Sequence, residues 1–356
     1  MDFRRILVTG GAGFVGSNLA VLLKRNFPEL TVTALDNLSR RGSDLNLIRL
    51  DAHDVQFVHG DIRCTEDLER LPTFDLIIDC AAEPSVLAGT KGSPWGVFNT
   101  NLVGTINCLE AARRWGASFV FLSTSRVYPM TTLNDLAFHE ESMRFCWDEA
   151  DSVAGFSAHG VAEEFSLEGA RSFYGASKLA CELIVQEYVH NSGVPAIINR
   201  CGVLAGPWQM GKVDQGFVTL WISRHHFNRP LRYTGFRGVG KQVRDVLHVE
   251  DLFDLLVCQM KQPSQWTANA YNVGGGLENS LSLLELTELC QATTGQRTPI
   301  TPEPETNSLD MRIYITDNRR VEEQFDWRPT RNVQHIVQDI HRWIEDEEEI
   351  LRPVLG

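Results

Sequence analysis

The sequence predicts an α/β fold: a doubly wound parallel sheet with a smaller α/β region set against it. Three observations carry this reading. Short apolar runs alternate with helical periodicity through the first half of the chain. A glycine-rich turn joins the first run to the first helix, and after about residue 200 the pattern loosens into Gly/Pro-rich joints such as "LAGPWQMGK" and "NVGGG". Such alternation argues for βαβ units whose sheet is covered on both faces.

The strands are expected at "RILVTG", "TVTALD", "VQFVHGD", "LIIDCA", "SFVFLS" and "PAIINR". Between them, "NTNLVGTINCLEAARRWG" places Leu102, Ile106, Leu109 and Ala112 at helical spacing and stops at Gly116, a residue suited to a C-terminal cap. Residues 1–200 are read as the nucleotide-binding part, with about 240–275 returning to it, and 201–356 as the smaller region. "SLLE" (Ser282 to Glu285) has capping-box form and should open a helix ending near Gly295. The acidic run "EDEEE" (Glu345 to Glu349) is expected on a solvated face of the last helix.

The chain's 356 residues can bury a sizeable core. No run approaches the roughly 20 apolar residues of a spanning helix, and "MDFRRILVTGG" lacks a signal-peptide core. A cytoplasmic protein with no membrane partner is therefore expected. A net charge of −13 argues against a nucleic-acid partner. The eight cysteines and ten histidines are scattered without metal-ligand spacing, so no metal site is expected. The cysteines should be reduced and mostly in the core, and the His225-His226 pair should lie on a helix surface.

Gly10, Gly13 and Gly16, with Phe14 and Val15 between the last two, occupy a strand–turn–helix context. Small residues permit the tight turn, the close approach of backbone to a pyrophosphate and the packing of helix on strand, and the helix N-terminus favours the anion. Asp36 follows at the end of the next strand, 36 − 16 = 20 positions after Gly16, where a carboxylate can accept from an adenosine ribose. A carboxylate there repels a 2′-phosphate, which favours NAD over NADP. Asn37, Ser39 and Arg40 continue this edge of the site, Asp61 and Ile62 of "HGDIR" suit an adenine pocket, and Ala81 and Ala82 close the fourth strand run.

"YGASKLACELIVQEYV" sets Tyr174 and Lys178 one turn apart on one helix face. A phenol is a poor base near neutrality unless neighbouring positive charge favours the phenolate, and an ammonium and a nicotinamide ring both supply such charge. Together with the glycine loop, Asp36 and the hydroxyl cluster at 123–125, this pair resembles the extended short-chain dehydrogenase/reductase family of nucleotide-sugar enzymes over nearly the whole chain. The resemblance implies a Rossmann-type sheet, bound NAD, Thr124 as the hydroxyl assisting Tyr174 and Lys178, and Asn101 near the nicotinamide. It also implies a homodimer or homotetramer pairing through helices that start near Asn99 and Tyr174.

Relatives in that family with further chemistry carry extra groups before the "VY" pair: Asp-Glu in 4,6-dehydratases, cysteine in epimerase/reductases and glutamate in decarboxylases. Here the two positions are Ser125 and Arg126. Hydride abstraction and return remain, as an epimerase needs, because an unactivated carbinol C–H is not acidic. "GKQVRDVLHVEDL" and "SLDMRIYITD" carry Arg244 and Arg312, which by resemblance grip a nucleotide diphosphate. Glu83, Ser125, Arg126, Asn199 and Gln215 complete the expected substrate contacts.

"LDNLSRRG", "VDQGFV", "NSLSLLEL" and "DMRIYITD" resemble the CDP-tyvelose (CDP-paratose) 2-epimerase branch, as does the gap of 174 − 124 = 50 residues between Thr124 and Tyr174. Within that gap "EESMRFCWDEADSVAGFSAHGVAEEFSLEG" should help form the sugar site. The resemblance implies inversion at C2 of CDP-paratose/CDP-tyvelose or a related CDP-hexose. Two rivals remain, a UDP-hexose 4-epimerase and a non-catalytic NAD-binding regulatory protein.

Overall fold

A computed structural model of the chain describes residues 3–148, 153–212 and 215–356. Residues 149–152 of the long insertion and the first two of "VDQGFV" lie outside the described residues. The central sheet has seven strands, all parallel: β1 (Arg5–Thr9), β2 (Thr31–Asp36), β3 (Gln56–His59), β4 (Leu76–Asp79), β5 (Ser118–Thr124), β10 (Ala196–Cys201) and β14 (Thr267–Val273). Their order is β3-β2-β1-β4-β5-β10-β14. The chain winds outward from β1 to β3, then crosses back to β4, leaving a crevice between β1 and β4 at the C-terminal strand ends.

The strands read as continuous apolar runs because both faces are covered. Ile6 and Val8 point into one core with α1 (Phe14–Asn26), α2 (Leu45–Asp51), α9 (Val249–Met260) and α11 (Arg319–Phe325), while Leu7 points into the other with α3 (Thr65–Glu69), α5 (Gly104–Trp115) and α7 (Phe173–Ser192). Gly116 ends α5 in the left-handed conformation at φ 66°. A π-helical turn, Asn99–Val103, joins α4 (Trp95–Phe98) to α5. Turns of this kind recur at functional sites.

The smaller region carries a second sheet of β11 (Val203–Ala205), β13 (Val243–His248), β15 (Ser280–Ser282) and β17 (Ile313–Tyr314). Beside it, β12 (Leu231–Thr234) pairs with β16 (Ile300–Glu303). Residues 240–275 therefore divide: β13 belongs to this sheet, and α9 and β14 to the large one. Helices α8 (Phe217–His226), α10 (Leu283–Thr294), α12 (Val333–Asp346) and α13 (Glu348–Leu355) share one apolar cluster. Ser282 and Glu285 cap α10 reciprocally, and Gly295 ends it.

Two local expectations are corrected. "EDEEE" straddles the break between α12 and α13 instead of lying on one helix. His225 is not on a surface: α8 is wedged between α10 and α12, so His225 is fully buried with Nδ1 2.7 Å from Trp221 O, and His226 meets His341 and Glu348.

The segment between Thr124 and Tyr174 contributes α6 (Met130–Asp135) and two antiparallel hairpins, β6 (Phe138–Glu140) with β7 (Phe145–Trp147), and β8 (Phe156–Ser157) with β9 (Gly160–Val161). Among the described residues no helix is long and apolar enough to cross a membrane, and all eight cysteines are free.

Candidate active site

The crevice at the β1/β4 crossing is a cavity of about 520 Å³. Gly10, Gly13, Phe14, Val15, Gly16, Asp36, Asn37, Ser39, Arg40, Asp61, Ile62, Ala81, Ala82 and Glu83 all line it. The glycines are required by contact. A Cβ on Gly16 would sit 2.2 Å from Gly10 O, and one on Gly10, at φ +59°, would sit 2.9 Å from the Ala81 backbone. Asp36 is oriented by the same turn, its carboxylate accepting from Ala12 N at 3.1 Å and Leu38 N at 2.8 Å. Burial raises its pKa, and these backbone donors oppose the rise.

Asp61 accepts from Asn37 and is held low by Arg63, which forks onto it. Arg40 donates to Gln215 and to Met210 O, and the exposed Arg41 reaches Pro353 O in α13. Arg40 is thus tied across the cavity, and Asp36 remains the anion at this edge of it. The cradle, the helix N-terminus and this carboxylate fit an adenine dinucleotide without a 2′-phosphate.

At the next strand ends stand the residues expected to carry chemistry. Thr124 closes β5, and its Oγ1 accepts from Arg126 N at 3.1 Å, which orients the hydroxyl. Ser172 caps α7 through Gly175 N, placing Tyr174 on the first turn and Lys178 one turn on. Gly175 packs against the Arg126 backbone so closely that a Cβ would lie 2.1 Å from Arg126 O, which fixes Tyr174 beside the Ser125–Val127 turn. Lys178 is 2% exposed, and its Nζ donates to Leu122 O at 2.9 Å and lies 4.5 Å from the Phe121 ring centre.

Arg126 and Arg244 converge. Arg126 donates to Leu309 O at 3.2 Å, and Arg244 donates to Asp310 at 2.8 Å and Met311 O at 2.6 Å. Burial and then the neighbouring charge of Arg244 lower the Arg126 pKa to about 10, while Asp310 and Tyr174 oppose the fall. Burial also lowers Arg244, against Asp310. Two partly buried guanidiniums beside one carboxylate make a place for an anion.

Three expected substrate contacts are placed differently. Asn199 does not reach the cleft: it is fully buried, its amide paired both ways with Gln259 of α9 at 3.0 and 2.8 Å. Gln215 lines the dinucleotide cavity with Arg40, away from the paired arginines. Arg312 does not join Arg244. Its guanidinium lies 3.8 Å from the Phe138 ring centre and donates to Asn134 O at 2.9 Å. Asn101 is fully buried on the π-helical turn, where it accepts from Glu83 N and donates to Glu83 O and Ser177. It therefore clamps the cavity wall to α7.

Sequence reasoning missed the pair beneath the site. Glu182, one further turn along the Tyr174/Lys178 face, accepts Ser123 Oγ at 2.5 Å and a forked contact from Arg200 at 2.8–3.1 Å. Arg200 reaches on to Tyr128 OH, which donates to Asn272. Continuing the four-residue spacing by one step would have found Glu182.

A doubly wound sheet with a glycine-cradled cleft at its crossover defines a dinucleotide-binding protein. A model of the NAD dependent epimerase/dehydratase family matches residues 6–274, and the chain belongs to that family. It is 33% identical to the CDP-paratose 2-epimerase of Salmonella typhi over 350 residues, 95% of this chain and 98% of that protein. A solved dTDP-glucose 4,6-dehydratase of Bacillus anthracis in complex with NAD superposes with TM-score 0.77 at 26% identity, covering 99% of both chains. A UDP-glucose 4-epimerase of Thermotoga maritima shares the fold, with TM-score 0.76 at 24% identity over 97% of this chain and 99% of that one.

Proposed function

We propose that the protein is an NAD-retaining nucleotide-sugar 2-epimerase acting on CDP-paratose/CDP-tyvelose or a related CDP-hexose. The observation that carries this is the turn after Thr124. Beside Tyr174 it presents Ser125 and Arg126, and so no second acid, base or thiol for elimination, decarboxylation or net reduction. Similarity to the Salmonella typhi enzyme over 95% of the chain supports the C2 assignment.

Tyr174 takes the proton from the sugar hydroxyl as its carbon becomes a ketone, and gives it back when the centre is re-formed. Thr124 offers its hydroxyl to the same oxygen. Lys178 has three donors; one is held by Leu122 O, leaving two for the ribose and the phenolate. NAD, when bound, would supply the hydride acceptor and donor that a redox-neutral inversion needs. Asp36 and the glycine turn would hold it, Asp61 and Ile62 would form the adenine side, and Arg126 with Arg244 would take the substrate diphosphate. Proton NMR of the products from CDP- and UDP-sugars tests the reading, because the inverted carbon is observed directly.

The exposed apolar side chains of Trp95 on α4 (63% exposed) and Leu183 on α7 (58%) support a homodimer or homotetramer built on these helices. Sedimentation velocity should give a dimer or tetramer that Leu183→Asp shifts toward monomer. A wild-type monomer at micromolar concentration contradicts this arrangement.

A further inference from the structure

The β6–β7 hairpin carries chemistry that the proposed reaction does not use. His139 and Cys146 are direct cross-strand partners, so their side chains share one face. Glu141 and Asp148 lie two residues further along each strand direction and join that face. The opposite face is anchored in aromatic packing: Phe138 meets Phe145 at 5.6 Å, Phe145 meets Phe236 at 6.2 Å and Trp147 meets Phe156 at 4.9 Å. Backbone bonds from Glu141 N to Arg144 O (2.9 Å) and Asp148 N to Ala137 O (3.0 Å) hold both ends.

We propose that His139, Glu141 and Cys146 form a binding site for a zinc-class divalent ion. One donor atom from each lies within 4.8 Å of the other two. The imidazole is already set for ligation. Asp148 Oδ1 lies 2.6 Å from Nδ1 and Glu141 Oε1 lies 3.5 Å from Nε2; in the neutral tautomer that donates Nδ1–H to Asp148, Nε2 offers its lone pair on the side of Glu141. With bonds of about 2.0–2.3 Å, the edge of a tetrahedral zinc site is roughly 3.3–3.8 Å, so this separation is already a ligand–ligand edge. A carboxylate on the far ring nitrogen of a ligating histidine is the usual orienting partner. One nitrogen, one sulfur and one oxygen donor select zinc over magnesium or calcium, which take oxygen sets. A fourth position remains for water. The scattered cysteines and histidines gave no sign of such a site, because it is assembled by hairpin register and not by a spacing motif.

The full-length protein, stripped with chelator, is titrated with Co²⁺ alone as the probe. One equivalent should bind with intense tetrahedral d–d absorption and a thiolate-to-cobalt charge-transfer band, and one equivalent of Zn²⁺ should bleach both. Cys146→Ser should remove the charge-transfer band, and Asp148→Asn should weaken Zn²⁺ binding about 10–100-fold. Unchanged far-UV circular dichroism and NAD binding show that each variant is folded. No binding at micromolar Co²⁺, binding without the thiolate band, or a band that survives Cys146→Ser overturns the site.

Discussion

Replacing Tyr174 with phenylalanine is expected to lower turnover about 10²–10⁴-fold, the usual worth of a positioned acid–base group, while NAD binding stays unchanged. The Ser172 cap sets the first turn of α7, and contact between Gly175 and Arg126 O locks its position, so the phenyl ring occupies the place of the phenol. What is lost is the oxygen proposed to move the sugar proton. The glycine turn and Asp36 line the cavity that fits the dinucleotide, and Tyr174 is not among its lining residues. Steady-state kinetics paired with a fluorescence titration of NAD separates the two effects. A variant that epimerises within tenfold of wild type removes Tyr174 from the mechanism.

Glu182→Leu is expected to destabilise the fold by about 3–5 kcal/mol, since it leaves the Arg200 guanidinium buried without its partner. Arg200 is 7% and Glu182 2% exposed at the side chain, and water does not replace the lost carboxylate there. Ser123 and Tyr128 lose their common anchor as well. The double variant Glu182→Leu/Arg200→Met should recover part of the loss, with a coupling of about 0.5–3 kcal/mol. Urea unfolding, read as a change in midpoint at constant slope, checks both. A single-variant loss below about 1 kcal/mol would show that the pair does not hold α7 to β5 and β10.

The parts of this molecule that were legible in sequence are those set by contiguous residues. β1, the glycine turn, α1 and β2 read directly, because strand alternation, the anion-binding helix end and Asp36 all fall within one βαβ unit. Ser282/Glu285 and Gly295 delimit α10 for the same local reason. Positions set by strand parity or distant packing were not legible. Asn199 and Arg200 are neighbours on β10 but face opposite layers, Gln259 of α9 and Glu182 of α7. Which one points where depends on register with β5. The motif marks Arg312, yet its direction is decided by Phe138, which is distant in sequence. Arg126 was legible as the residue that excludes other chemistries. That it meets Arg244 required the folded turn.

The central claim is redox-neutral inversion at C2 by Tyr174, Lys178 and Thr124 on a retained cofactor, and proton NMR of the reaction tests it most directly. CDP-paratose incubated with purified protein and no added cofactor should give a mixture of CDP-paratose and CDP-tyvelose, inverted only at C2, with no net NADH. A 4-keto-6-deoxy product, or inversion at C4 of a UDP-hexose with the CDP-sugar untouched, would contradict it.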